Sequence, residues 1–296
     1  MVAALYLAVK GLTKKQDQVV IQTPVYPRLF DVVFDNHRML LVNKLKNNQG
    51  HYEMDLEDLE STFKAGAKLF ILCNPHNPVG RVWTKSELDR VVGLCKKYDV
   101  TLVSDEIHAD IILGNHTFTS IGHYLDEYDK IMICTSPNKT FNVAGLHLAN
   151  IVIRNQYMRE LIHHELKVSH SCTPNLFATL ACEVAYTVCD EWVLKQNKHV
   201  ERNFKFIRKF LQDRVPELGI TKAVGTYLAW LDISFLKKDS TVVVKELLDY
   251  GIGLYDGNKF DPDSYSFVRM NLACSKAQLE AGLERFYQYI LDQTQV

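Results

Sequence analysis

The chain has almost no net charge. Its 34 lysines and arginines stand against 35 acidic residues, a formal balance of −1. It therefore lacks the basic excess that a nucleic-acid or membrane-surface partner requires. No apolar run approaches the roughly 20 residues of a membrane span, and no signal-peptide pattern opens the sequence. There is no CxxC pair. The seven cysteines (Cys73, Cys95, Cys134, Cys172, Cys182, Cys189 and Cys274) are odd in number, and several lie inside apolar runs. They read as free thiols in a reducing, cytoplasmic setting. No GxGxxG follows a strand-like run, which argues against a dinucleotide site. His163, His164 and His170 crowd "HHELKVSHSC" without a zinc spacing. "DGNKFDPDS" lacks the ligand order and closing Glu of a calcium loop. No metal is expected.

What is present is ordinary for a globular protein: 296 residues, 47% hydrophobic and 23% charged. That length fills one large domain, or a large one with a smaller companion. Through the first two-thirds, apolar runs alternate with helical segments. "ALYLAVKGL" reads as a helix and "QVVIQT" as a strand ending at "PVYP". "KLFILC" is a second strand, followed by "NPHNPVG" and by the helix "TKSELDRVVGLCKKYD". Thr84 and Glu87 form a capping box there. "VTLVSD", "KIMICTS" and "LANIVI" follow as strands. Continuous apolar strands alternating with helices indicate a mostly parallel sheet covered on both faces.

From about Pro174 the texture becomes one long helical stretch, with Trp192, Val200, Phe204, Ile207 and Leu211 as a core stripe. Strands "TYLAWLDIS" and "SFVRMNLA" and helices "TVVVKELLDY" and from Lys276 complete a smaller α+β unit. The expected division is residues 1–190 and 191–296.

Ligands of parallel sheets lie beyond the carboxyl ends of the strands. Tyr26 follows the first strand, Asn77 the second, Asp105 with His108 the third, and Ser136 with Lys139 the fourth. An aromatic, an amide, a carboxylate, a hydroxyl and a lysine thus share one rim. Singly each has a structural explanation; together they match the needs of pyridoxal phosphate. A lysine amine forms the Schiff base, a carboxylate holds the pyridine nitrogen protonated, and an aromatic stacks on the ring. At an effective dielectric of about 20 and a separation of about 4 Å, such an ion pair contributes roughly 4 kcal/mol.

"NPHNPVG", "SDEIHADI", "SPNKTFN", "GTYLAWLD" and "VRMNLA" occur in the order found in fold-type I pyridoxal-phosphate enzymes. The chain resembles the class I/II aminotransferase family, and within it most closely the cystathionine β-lyase branch of MalY/PatB-type C–S lyases. The resemblance implies the aspartate aminotransferase-like α/β fold, with a mostly parallel large domain and a smaller α+β C-terminal domain. It implies that Lys139 is the Schiff-base lysine and Asp105 the pyridinium partner. Asn77 and His108 would lie near the ring oxygen, Tyr26 on the ring and Ser136 at the phosphate. Arg269 would grip the substrate α-carboxylate, which a guanidinium fork matches bidentately.

Relatives carry a substantial segment before the point where this chain begins, and some place an arginine where His147 stands. The expectation is a truncated chain with weakened phosphate contacts at the start of the first helix. The implied function is a C–S β-lyase converting L-cystathionine or a related cysteine S-conjugate to thiol, pyruvate and ammonia. An aminotransferase, or a truncated form with a binding or regulatory role, are the alternatives. A homodimer taking a small amino-acid substrate is implied as well.

Overall fold

The computed structural model describes residues 1–294. In the first half, helix α1 (Val2–Leu12) leads to β1 (Gln18–Thr23), α2 (Arg28–Phe34) and β2 (Met39–Lys44). A hairpin of β3 (Lys46–Asn48) and β4 (His51–Glu53) precedes α3 (Leu56–Lys64) and β5 (Leu69–Cys73). Then come α4 (Lys85–Tyr98), β6 (Thr101–Asp105), β7 (Ile131–Thr135) and β8 (Asn150–Ile153). The sheet runs in the order β2-β1-β5-β6-β7-β8. All of its pairings are parallel except β7 with β8. The short return from β7 to β8 contains no crossover helix, and a parallel partner would need one.

The alternation of faces explains why the strands read as unbroken apolar runs. Leu69, Ile71 and Cys73 of β5 face one core with α1 residues Leu5 and Ala8. Phe70 and Leu72 face the other, with Leu59 and Phe63 of α3 and Leu88 and Val91 of α4. Both layers exclude water, so every position of β5 is apolar and buried. The capping box of α4 is formed: Thr84 Oγ1 accepts the Glu87 N–H at 3.3 Å, and Glu87 Oε2 accepts the Thr84 N–H at 2.8 Å.

Beyond the sheet lie α5 (Gln156–Val168), α6 (Leu176–Val188), α7 (Asp190–Arg214) and β9 (Gly219–Ile220). After them come β10 (Leu228–Asp232), α8 (Ser240–Asp249), β11 (Tyr255–Asp256), β12 (Phe267–Asn271) and α9 (Lys276–Thr294). The second sheet is antiparallel, in the order β11-β12-β10-β9. A separate core of Val200, Phe204, Ile207, Leu231, Val243 and Leu283 backs it.

Two expectations need correction. The long helical stretch is two helices, because Cys189 leaves helical geometry at φ −108°, ψ 25°. Trp192 is not core: it is 50% exposed. It lies on the first turn of α7, ahead of the turns that pack into the C-terminal core, and only its indole N–H is tied down, to the Thr140 carbonyl at 3.0 Å. Val200, Phe204, Ile207 and Leu211 are buried, as the stripe implied.

Gly80 joins the two halves. Its φ is +71°, and a Cβ there would stand 2.3 Å from the Cβ of Ala223. Its carbonyl accepts the N–H groups of Val224 and Gly225 at 2.8 and 2.9 Å. Gly80→Ala would combine left-handed backbone strain with overpacking, a loss of about 3 kcal/mol. Urea titration should show a lower midpoint with an unchanged slope; an unchanged midpoint would refute the tight seam.

Candidate active site

Between β1 and β5 the strand order reverses, and the crevice of an open parallel sheet lies at such a point, beyond the carboxyl ends. A cleft of about 580 Å³ opens there, lined by Tyr26, Asn77, Asp105, His108, Lys139 and Arg269 among others. That size suits a small organic ligand. The register delivers these side chains. Asp105 ends β6, paired with Cys73 of β5 on one side and Cys134 of β7 on the other. Lys139 sits in the turn after β7, and Arg269 reaches over from β12 of the second sheet.

Ser136 is the exception. It is buried outside the lining of the cleft, donating to the Leu148 carbonyl at 2.7 Å and accepting the Asn138 N–H at 3.2 Å. Its hydroxyl braces the Lys139 turn. The cleft also takes His147, where some relatives place an arginine, and Tyr227, Tyr255, Asn271 and Asn138, which sequence reasoning had not assigned to it. Asn271 was the most accessible of these: it is two residues beyond Arg269 on the same strand, hence on the same face.

Two adjacent carboxylates show what is spent on structure and what is held in reserve. Glu106 accepts from Ser104 Oγ, Ser120 Oγ and the Ile121 N–H at 3.1, 2.7 and 2.9 Å. Asp105, also buried, accepts among the described residues only the Ile107 N–H, at 3.1 Å. Burial lifts Asp105 from 3.8 to about 6, partly offset by that bond, by the Met1 ammonium and by Lys139. A buried carboxylate in that state gains from an added cation.

Lys139 makes no hydrogen bond or ion pair among the described residues. Burial and the Arg269 guanidinium push its ammonium down, while Asp105 works against them. Arg269 donates to Asn77 Oδ1 at 3.1 Å, with its guanidinium 4.4 Å from the Tyr255 ring centroid and 4.9 Å from that of Phe260. It has no carboxylate partner among the described residues, so a ligand carboxylate is its natural complement. His108 is buried, and its Nδ1 has no partner among the described residues. Burial, with Lys139 and Arg269 nearby, lowers it from 6.5 to about 3.

His76 is likewise lowered to about 4, chiefly by burial. Both histidines are neutral in the folded protein at pH values where the unfolded chain would protonate them. Their contribution is complete above pH 6.5 and is lost as pH falls toward 4. Asp105 works in the opposite sense between 3.8 and about 6, because there the folded state binds more protons. Ligand-free protein should therefore melt progressively lower as pH drops from 6.5 to 4.5. Asp105→Asn should steepen that loss. An Asp105→Asn melting profile parallel to that of the unaltered protein would contradict this assignment.

The chain is 37% identical over 288 residues to cystathionine beta-lyase PatB of Bacillus subtilis, spanning 96% of this chain and 74% of that protein. Among solved structures, cystalysin of Treponema denticola, which contains a pyridoxal 5'-phosphate cofactor, superposes with a TM-score of 0.96 at 32% identity. That match covers 98% of this chain and 75% of cystalysin. The pyridoxal-phosphate-bound C-S lyase of Staphylococcus hominis gives a TM-score of 0.91 at 30% identity, over 97% of this chain and 74% of that one. The model of the family described as aminotransferase class I and II matches residues 2–286. The chain belongs to the class I and II aminotransferase family.

Proposed function

We propose that the protein is a pyridoxal-phosphate-dependent carbon–sulfur β-lyase. L-Cystathionine, or a related L-cysteine S-conjugate, and water would give a thiol, pyruvate and ammonia. The observation that carries this reading is the meeting of Lys139, Asp105 and Arg269 in one cleft of a chain with PatB- and cystalysin-like sequence.

The residues fit the cofactor. Among the described residues the Asp105 carboxylate makes no ion pair and the Lys139 amine makes no hydrogen bond, and the buried His108 Nδ1 is unsatisfied. Val2 and Ala3 of α1 also line the cleft. When bound, pyridoxal phosphate supplies an electrophilic carbonyl and an electron sink for the substrate α-carbon.

Each residue then has a task. Asp105 would hold an anionic charge for the ring nitrogen, and Tyr26 would offer a flat face. Asn77 and the neutral His108 would serve the ring oxygen. Ser136 would act at the phosphate end through the Asn138 N–H it holds. Arg269 orients the substrate through its α-carboxylate. Lys139 Nζ, its ammonium disfavoured by burial, takes the proton from the α-carbon. That electron pair forms the Cα=Cβ bond as the Cβ–S bond breaks, and the sulfur leaves with its own pair. Water converts the released 2-aminoacrylate to pyruvate and ammonia.

The reading extends to the whole molecule. Division near residue 190 is supported by one core drawn wholly from residues 4–162 and another drawn, apart from Leu113, from residues 200–290; Trp230 and Phe260 cross that line to pack in the remaining core. Pairing of two copies is supported by the exposed apolar residues Leu176, Phe177, Leu180 and Leu194. A reducing cytoplasm agrees with seven free cysteines, and no helix among the described residues is long and apolar enough to cross a membrane.

The deciding assay follows thiol and pyruvate from L-cystathionine without any keto-acid acceptor. Both products in equal amounts support the lyase. Turnover that requires an acceptor and releases no thiol would replace it with an aminotransferase. Protein that stays colourless with added pyridoxal phosphate would favour a non-catalytic role.

A further inference from the structure

Lys139 and Asp105 ride on different turns, so their separation depends on whatever joins those turns. One side chain does so directly. Asp110, five residues beyond Asp105, accepts the Thr140 hydroxyl on Oδ2 at 2.8 Å, and the Tyr186 hydroxyl lies 3.4 Å from the same oxygen. Thr140, next to Lys139, is fully buried. Helix α7 grips both turns from behind. Trp192 Nε1 donates to the Thr140 carbonyl at 3.0 Å, and Asn197 Nδ2 donates to the Asp110 carbonyl at 2.8 Å. The stretch from Asp105 to Asp110 is itself braced, by Ala109 N–H to Glu106 O at 3.0 Å and Ile111 N–H to His108 O at 2.9 Å. A shift at Asp110 is therefore felt at Asp105.

We propose that Asp110, Thr140 and Trp192 form a positioning clamp that sets the distance between the Lys139 amine and the Asp105 carboxylate. None of the three lines the cleft. They act through the residues beside them, and the proposal rests on the lyase reading only for its kinetic consequence. The clamp spans the two turns whose charges interact, since Asp105 raises the Lys139 ammonium while Arg269 lowers it. His108 and the Met1 ammonium also feel Lys139. Loosening the clamp lets the amine drift from its only anionic neighbour among these groups.

The test reads that amine directly. Full-length Thr140→Val, Asp110→Asn and Trp192→Phe proteins are labelled with acetic anhydride across a pH series, without cofactor. The modification at Lys139 is measured by peptide mass spectrometry. In Thr140→Val the Lys139 midpoint should fall by about one pH unit, the scale on which a neighbouring charge acts. Trp192→Phe should move it the same way by less, and Thr140→Ser should restore it. With pyridoxal phosphate and L-cystathionine, kcat should drop about tenfold with KM within about twofold, as for a misplaced reacting group. Thermal melting runs alongside. Variants that melt lower but keep the Lys139 midpoint would overturn the clamp and leave a purely structural network. Absence of thiol release from the unaltered protein would overturn the lyase reading alone, because the labelling midpoint needs no turnover.

Discussion

Lys139→Ala protein should release pyruvate from L-cystathionine at least about 10⁴-fold more slowly than the unaltered chain. Proton transfer by a positioned group contributes on the order of 10² to 10⁴, and in the proposed reaction this amine also attaches the cofactor. The fold should survive, because Lys139 makes no hydrogen bond or ion pair among the described residues, and its turn is held by Ser136, Thr140 and the Phe141 N–H to Pro137 O contact. Single-turnover pyruvate release gives the rate. Borohydride reduction with pyridoxal phosphate followed by peptide mapping gives the attachment site. Label on a different lysine, or a variant that turns over at the original rate, would remove this residue from the chemistry.

Asp105→Ala should slow turnover about 10³-fold while leaving the cofactor attached. One ion pair at about 4 Å and an effective dielectric of about 20 is worth roughly 4 kcal/mol, about three powers of ten in rate. The residue is well placed for this, since burial lifts it to about 6 and its one donor among the described residues occupies only Oδ1. Asp105→Glu should recover part of the loss, and Asp105→Asn little, because the charge and not the shape is needed. Equal activity in the Asn and Glu variants would show that the carboxylate serves only to accept the Ile107 N–H.

Much of this was readable in advance, and the residues say why. β5 is apolar at every position and β6 buries Leu102 and Val103 because both faces are covered, so "KLFILC" and "VTLVSD" could not be mistaken for surface. Lys139, Asp105, Asn77 and Tyr26 all follow strand ends, and a parallel sheet leaves those ends together. β2 was missed because it is an edge strand: Met39, Leu40, Leu41 and Val42 are all partly exposed, and no alternation marks it. The end of α6 at Cys189 carries no Gly or Pro to announce it. Tyr227 and Tyr255 reach the cleft only because the second sheet folds against the first, a pairing between distant segments that no local pattern encodes. Ser136 lies where expected after β7, and its hydroxyl proton goes to a backbone carbonyl 12 residues on, a partner no local pattern announces.

The antiparallel return from β7 to β8 has an implication for anyone reshaping this molecule. Its loop is pinned at both ends by ladder pairs, Cys134 with Ile151 and Thr135 with Asn150. Slack added on either side of the reactive amine has nowhere to go except into that amine's aim. Retuning the catalyst by insertion or deletion should therefore begin at the Lys46–Glu53 hairpin or the 169–175 segment, and leave the length of the 136–149 loop untouched.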